Sequence, residues 1–577
     1  MLRLLRYRTC GVVLTLALAG VAGCLGDLGV PGASGSSSSG SGPSGSGSSG
    51  SGSSGSGSSG SGSSGSSGSG GGVTLPDGTE SATLLPARIR RLTNAEYAAS
   101  ARALTGTTTN PSERFAPDSR QAGYTVNDAQ RVDPVLAKQL AASAEALAAE
   151  VKGKLAELAP CADPSAQAES CAREFIRSFG GRAYRRPLDA AEADALFTVY
   201  QVGAKGATYA DGVELVARAV LQSAGFLYLT ELGDGSGGDV LTLTPHELAS
   251  SLSYLVTAGP PDDALLEAAT SGALLTPEGR EAEVRRLLET SPARERLVRV
   301  VREWLGVDRI AVTGKDSNVY PAFAGAREAM ERETEQFVSE VLWGSTGTVG
   351  ELLGADWSVI EAPLDQVYGA AGTGRVTLPN RRGLLNQGAF LSVYAHATET
   401  APVLRGVAIL RRVACTNIPS PVELNINVVP PVPDPTKTTR ERFEVHATDQ
   451  ECRGCHNLID PFGFSFEAFD GMGMARTTDN GHPVDSAVTV AMGADFDGAY
   501  PDSNALAVTL STSPTVRSCF ARNVFRASAG RGDKDAAESE ASFLKVWETL
   551  PEAEQGKLVE TLIAYVKSDL FSHRRPQ

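Results

Sequence analysis

The sequence predicts a mainly α, multi-domain helical protein, and three observations carry that expectation. Helix-start signals recur along the chain, while alternating strand runs are few and short. The 577 residues are more than one hydrophobic core ordinarily serves. The pentapeptide Cys452-Arg453-Gly454-Cys455-His456 has the C-x-x-C-H spacing, the attachment signature of c-type haem, and so predicts a haem module. Two thiols at i and i+3 face one side of a helical turn, where both can add to the haem vinyl groups. The adjacent imidazole then ligates the iron. A zinc half-site would call for further Cys or His ligands at short spacing, and no second C-x-x-C exists. A Cys452–Cys455 disulfide would leave His456 unexplained.

Residues 1–23 read as a signal peptide. Arg3, Arg6 and Arg8 precede an apolar run from Val12 to Val21 that is too short for a comfortable membrane span. The run ends in Val21-Ala22-Gly23-Cys24, which resembles a bacterial lipobox. That resemblance implies cleavage before Cys24 and lipidation of Cys24, giving a membrane partner through a lipid anchor. Leu25, where inner-membrane retention favours Asp, points to the outer membrane. Residues 24–82 are then a lipidated N-terminus and linker, because Ser34 to Gly72 is almost pure Gly and Ser. Such a stretch stays a coil with a reach of roughly 30–40 Å.

The formal net charge of −15 argues against nucleic acid or an anionic membrane surface as a partner. An exported chain also meets an oxidising compartment. Of eight cysteines, Cys10 belongs to the signal, Cys24 to the anchor, and Cys452 and Cys455 to the haem motif. By elimination, Cys161 pairs with Cys171, its neighbour in sequence, and Cys415 pairs with Cys519.

Thr93-Asn94-Ala95-Glu96 is a capping box opening a helix over Glu96 to Leu104. Asp189 and Glu192 repeat that logic before Ala190 to Val202, and Thr244 and Glu247 before Leu248 to Leu255. Thr276-Pro277-Glu278 starts a helix through Leu288. Ser291-Pro292 starts another, with Leu297, Val298, Val301, Trp304 and Leu305 at helical spacing. Leu241-Thr242-Leu243 is a weak strand. Turn-residue clusters divide the chain into segments 83–158, 159–232, 239–370, 379–497 and 501–577.

Several stretches resemble, in order, the modules of large exported proteins of planctomycetes and myxobacteria. Arg90-Arg91-Leu92-Thr93-Asn94-Ala95-Glu96-Tyr97 resembles the opening of the first. Gly181-Arg182-Ala183-Tyr184-Arg185-Arg186-Pro187-Leu188 resembles the second. Glu247 to Tyr254 resembles the third, and Arg382-Gly383-Leu384-Leu385-Asn386-Gln387-Gly388 the fourth. Arg517 to Arg531 resembles the fifth. The resemblance implies domains of unknown function around a cytochrome-c-like module at 379–497 that carries the C-x-x-C-H.

In that module Thr438 to His446 reads as a helix leading into the motif, with Phe443 placed to pack on a porphyrin. Ile459 to Phe464 would suit a haem-crevice wall, and the Pro461 carbonyl is a candidate acceptor for the second ring N–H of His456. His456 is the expected proximal ligand. Met472, Met474 and His396 are the leading candidates for the sixth position, ahead of Met492, His446 and His482. His396 lies in a stretch resembling a family motif, and His446, six residues before Cys452, belongs on the proximal side. An open sixth position would suit small-ligand binding. Arg182, Arg185 and Arg186 form a basic cluster expected to be solvated or paired with carboxylates. Val429 to Pro435 reads as a rigid connector.

No G-x-S-x-G, H-E-x-x-H or phosphate-binding loop is present. The expected function is electron transfer through haem c to an unidentified redox partner protein, at the outer membrane or cell surface. A haem-dependent oxidoreductase and a non-catalytic surface protein are the alternatives.

Overall fold

The computed structural model describes residues 73–425, 431–448, 450, 452–531 and 533–577. The expected signal peptide, the expected lipidation site Cys24, the Gly/Ser linker over 34–72 and part of the proline-rich connector lie outside the described residues.

The described chain is mainly helical, and local side-chain chemistry explains where its helices begin. The capping boxes at Thr93/Glu96, Asp189/Glu192 and Thr244/Glu247 all close. They start α1 (Asn94–Thr105), α3 (Ala190–Ala204) and α5 (Pro245–Thr257). Asp133 caps α2 (Pro134–Gly153), and Thr208 with Asp211 boxes α4 (Tyr209–Leu221). Further along come α6 (Pro277–Leu288), α7 (Ser291–Leu305), α8 (Phe323–Gly344), α9 (Pro402–Arg412) and α10 (Arg453–Phe464). The helices α11 (Pro514–Ala529) and α12 (Leu558–Lys567) complete the C-terminal part. Strands occur only as two-stranded antiparallel pairs among the described residues. No described helix is long and apolar enough to cross a membrane.

Two hydrophobic cores organise these elements. Leu92, Leu140, Val151, Phe175, Val213 and Leu229 belong to one, so segments 83–158 and 159–232 pool their apolar faces. Lys152 on α2 reinforces this by reaching Asp211 and Glu214 on α4, each at 2.7 Å. The larger core takes side chains from α5 through α12, including Trp304, Phe337, Phe462 and Phe520.

The ends of the described chain are stitched to its middle. Arg88–Arg91 pairs with Tyr228–Glu231, and Leu241–Thr242 pairs with His573–Arg574. Buried Glu231 receives Arg88 at 2.9 Å and Arg574 at 2.7 Å, with Arg531 at 3.6 Å. These guanidinium groups hold its carboxyl well below the usual range against the opposing effect of burial.

The structure corrects the reading of Arg185 as a solvated or carboxylate-paired group. It is buried, with φ of 59°, and donates to the carbonyls of Gly225, Phe226 and Tyr228. Arg186 pairs with Glu192 at 2.7 Å. The expected helix over Thr438 to His446 is broken into Thr439–Phe443 and Val445–Thr448.

Candidate functional site

The site is built where α9 crosses α10. Two glycines set the closeness of this crossing. A Cβ on Gly406 would lie 2.2 Å from the Ile459 carbonyl oxygen, and one on Gly463 would lie 2.0 Å from that of Pro402. Only hydrogen side chains allow backbone to meet backbone here. Helix α10 starts directly after Cys452, so Cys452, Cys455 and His456 share its first turn.

All three face a cavity of ≈ 400 Å³, the volume range of small-molecule and cofactor sites. Val403, Leu404, Val407, Leu424, Phe443 and Ile459 line much of the rest. Leu404 and Leu424 are 46% and 47% exposed, apolar surface that a bound apolar group would cover. Cys452 and Cys455 are half-buried thiols. The other four described cysteines form the Cys161–Cys171 and Cys415–Cys519 disulfides. The second ties the chain just ahead of the cavity-lining residues Ile418 to Pro421 onto α11. Trp304 Nε1 on the carbonyl of Arg412, at 2.7 Å, fixes the same stretch.

His456 is oriented by its own helix. Its Nδ1 lies 2.9 Å from Asp460 Oδ1, one turn on. This corrects the expectation that the Pro461 carbonyl would take that role. Pro461 lies inside α10, and its carbonyl accepts the Ser465 N–H at 3.4 Å. With Nδ1 engaged, Nε2 is the nitrogen left to a metal.

The candidates for the sixth position separate. His396 lines the cavity; Met472 and Met474 do not. Met472 is 1% exposed within the large core, and Met474 is turned outward. Asp470 Oδ1 accepts both of their backbone N–H groups, and this tight turn points the two side chains away from the cavity. His482 is exposed in a short strand, and Met492 packs on the core edge. His446 lines the cavity with its ring centroid 4.6 Å from that of His456. Of the crevice wall expected over Ile459 to Phe464, Ile459 alone lines the cavity, while Phe462 and Phe464 turn into the core.

The loop carrying His396 is anchored at both ends. Lys315 Nζ donates to the carbonyls of Ala395 and His396, at 3.0 and 2.7 Å. Burial, with Arg405 nearby, pushes that ammonium down to about 8. Thr400 Oγ1 donates to Glu467 at 2.9 Å, and Arg442 pairs with Glu399. Sequence reasoning missed the His456–Asp460 pair, although its signal is the i, i+4 spacing on one helix.

The residues fit a c-type haem. Two thiols and an oriented imidazole meet an apolar cavity, and a carboxylate backs the imidazole. Among the described residues, no three of His, Cys, Asp and Glu converge to hold a bare metal ion; a porphyrin iron asks the protein for one or two ligands.

Four family profiles match the chain, each described as a protein of unknown function. They are PSD3 (DUF1587) over residues 90–153, PSD5 (DUF1595) over 171–231, PSD4 (DUF1592) over 243–370 and PSCyt3 (DUF1588) over 381–479. No curated protein and no solved structure matches. The cavity and the C-x-x-C-H fall within the PSCyt3 match, whose name marks a cytochrome-like domain. With these four domains in this order, the chain belongs to the planctomycete cytochrome-like multi-domain family.

Proposed function

We propose that this protein is an exported lipoprotein that carries one covalently bound c-type haem and transfers electrons at the outer membrane or cell surface. The observation that carries the reading is the convergence of Cys452, Cys455 and His456 on one apolar cavity. The two thiols would hold the haem as thioethers and His456 would ligate the iron through Nε2. When bound, the haem supplies a one-electron ferric/ferrous couple. The chain's own residues do the rest. Asp460 orients His456, the aliphatic lining keeps water from the group, and His396 stands as the candidate second ligand. The acidic chain and the haem edge would meet a redox partner protein, while Cys24 holds the molecule to the membrane. The fifth module around Arg517 to Arg531 belongs to the same proposal.

The test is production of the chain in cells competent for cytochrome c maturation. A haem spectrum that stays with the polypeptide through acid-acetone extraction is expected, and Cys452→Ser with Cys455→Ser should abolish it. A wild-type chain without covalent haem overturns the reading. Binding of CO to the reduced protein would mark an open or displaceable sixth position. Retention of the His396→Ala spectrum unchanged would remove His396 from the iron.

A further inference from the structure

The pairing of His456 with Asp460 is lopsided. Asp460 is 4% exposed, and its Oδ1 meets His456 Nδ1 at 2.9 Å. Its Oδ2 is buried with no hydrogen-bond partner among the described residues. A carboxylate kept from water on a single hydrogen bond to an imidazole is poorly compensated. A cation on Nε2 changes this balance: it draws electron density from the ring, makes Nδ1–H a stronger donor and places net positive charge before the carboxylate.

We propose that Asp460 is the positioning residue of the haem site, fixing His456 in the Nδ1–H tautomer and lowering the reduction potential of the iron it ligates. The inference rests on the haem reading above. Its geometry does not depend on a loop: both residues lie on α10, one turn apart, and Gly463 seats that helix directly on Pro402. An ionised carboxylate is a stronger acceptor than a backbone carbonyl. It therefore leaves the imidazole more electron-rich, and an electron-rich ligand favours ferric over ferrous iron. The same hydrogen bond stops the ring from rotating, so Nε2 stays directed away from Asp460.

The test compares the matured wild-type chain with Asp460→Asn, which keeps the side chain's shape and removes its charge. Covalent haem per chain is read from a denaturing gel, and the midpoint potential from spectroelectrochemistry. Equal haem content is expected. The ferrous-to-ferric ratio at a fixed potential should rise on the order of tenfold, the low end of what outer-shell partners do to metal sites. That equals an upward shift of about 59 mV for a one-electron couple. Equal haem with an unchanged potential overturns the proposal. Absence of covalent haem from the wild-type chain overturns the underlying haem reading instead. If Asp460→Asn fails to attach haem, the full chain made without haem maturation is examined by ¹⁵N NMR. A slowly exchanging Nδ1–H on His456 is expected in the wild type and should be lost in Asp460→Asn. An Nε2–H tautomer in the wild type overturns the proposal.

Discussion

Gly463→Ala should spread the α9–α10 crossing and damage the cavity it forms. The new Cβ would lie 2.0 Å from the Pro402 carbonyl oxygen and 2.5 Å from its carbon. Carbon–oxygen contacts ordinarily stop near ~3.3 Å, so the helices must part by more than about 1 Å. The atoms met are backbone, and no rotamer change relieves them. Overpacking of this kind costs about 1–3 kcal/mol. Replacing a helical glycine returns about 0.5–1 kcal/mol, which leaves a net loss near ~1 kcal/mol. The parting also separates Gly406 from Ile459, which belongs to the cavity wall. Gly454→Ala is the internal control. It makes the same change in the same helix, at a site with nothing within 4 Å, and preserves the motif spacing. Calorimetric melting and haem stoichiometry of both variants are the assay. Gly463→Ala should melt lower and carry less covalent haem, while Gly454→Ala should match or exceed the wild type. Equal melting temperatures for the two variants would refute the close-approach argument.

Glu231→Gln removes the carboxylate that holds Arg88, Arg531 and Arg574 together, and breaking such a buried pair costs about 3–5 kcal/mol. Because its folded pKa lies well below 4.5, its contribution is present above that value and fades as pH falls through the folded one. The urea-stability gap between wild type and variant should therefore be wide at pH 7 and narrow in acid; a gap independent of pH would count against the charge cluster. Glu333 behaves oppositely. Burial raises its carboxyl to about 7, although Ser358 Oγ and Tyr368 OH donate to it at 2.8 and 2.5 Å. The folded state keeps a proton that the unfolded chain has released, so stability falls as pH rises from about 4.5 to 7, by up to about 3 kcal/mol. Glu333→Gln should gain on the wild type between pH 5 and pH 8, and an unchanged difference across that range would show that the buried carboxyl is not protonated.

Much of the helical framework was legible because its determinants are local. A capping box joins residues three apart, and Thr93/Glu96, Asp189/Glu192 and Thr244/Glu247 close as their spacing requires. The C-x-x-C-H is equally local: its spacing alone places two thiols and an imidazole on one helical turn. The order of the modules was also readable from short stretches of sequence, and four profiles match in that order.

The sequence by itself thus determined the helix starts, the haem-type motif and the family, since each is written within a few neighbouring residues. Only the tertiary structure decided what surrounds the motif. His396, remote in sequence, reaches the cavity, while nearby Met472 and Met474 are turned away by a backbone turn closed on Asp470. Arg185 is buried because carbonyls 40 or so residues distant converge on its guanidinium. Which side chains share a cavity depends on how closely the helices cross, and at α9–α10 that distance is set by Gly406 and Gly463 against distant backbone. No local sequence pattern records such a contact.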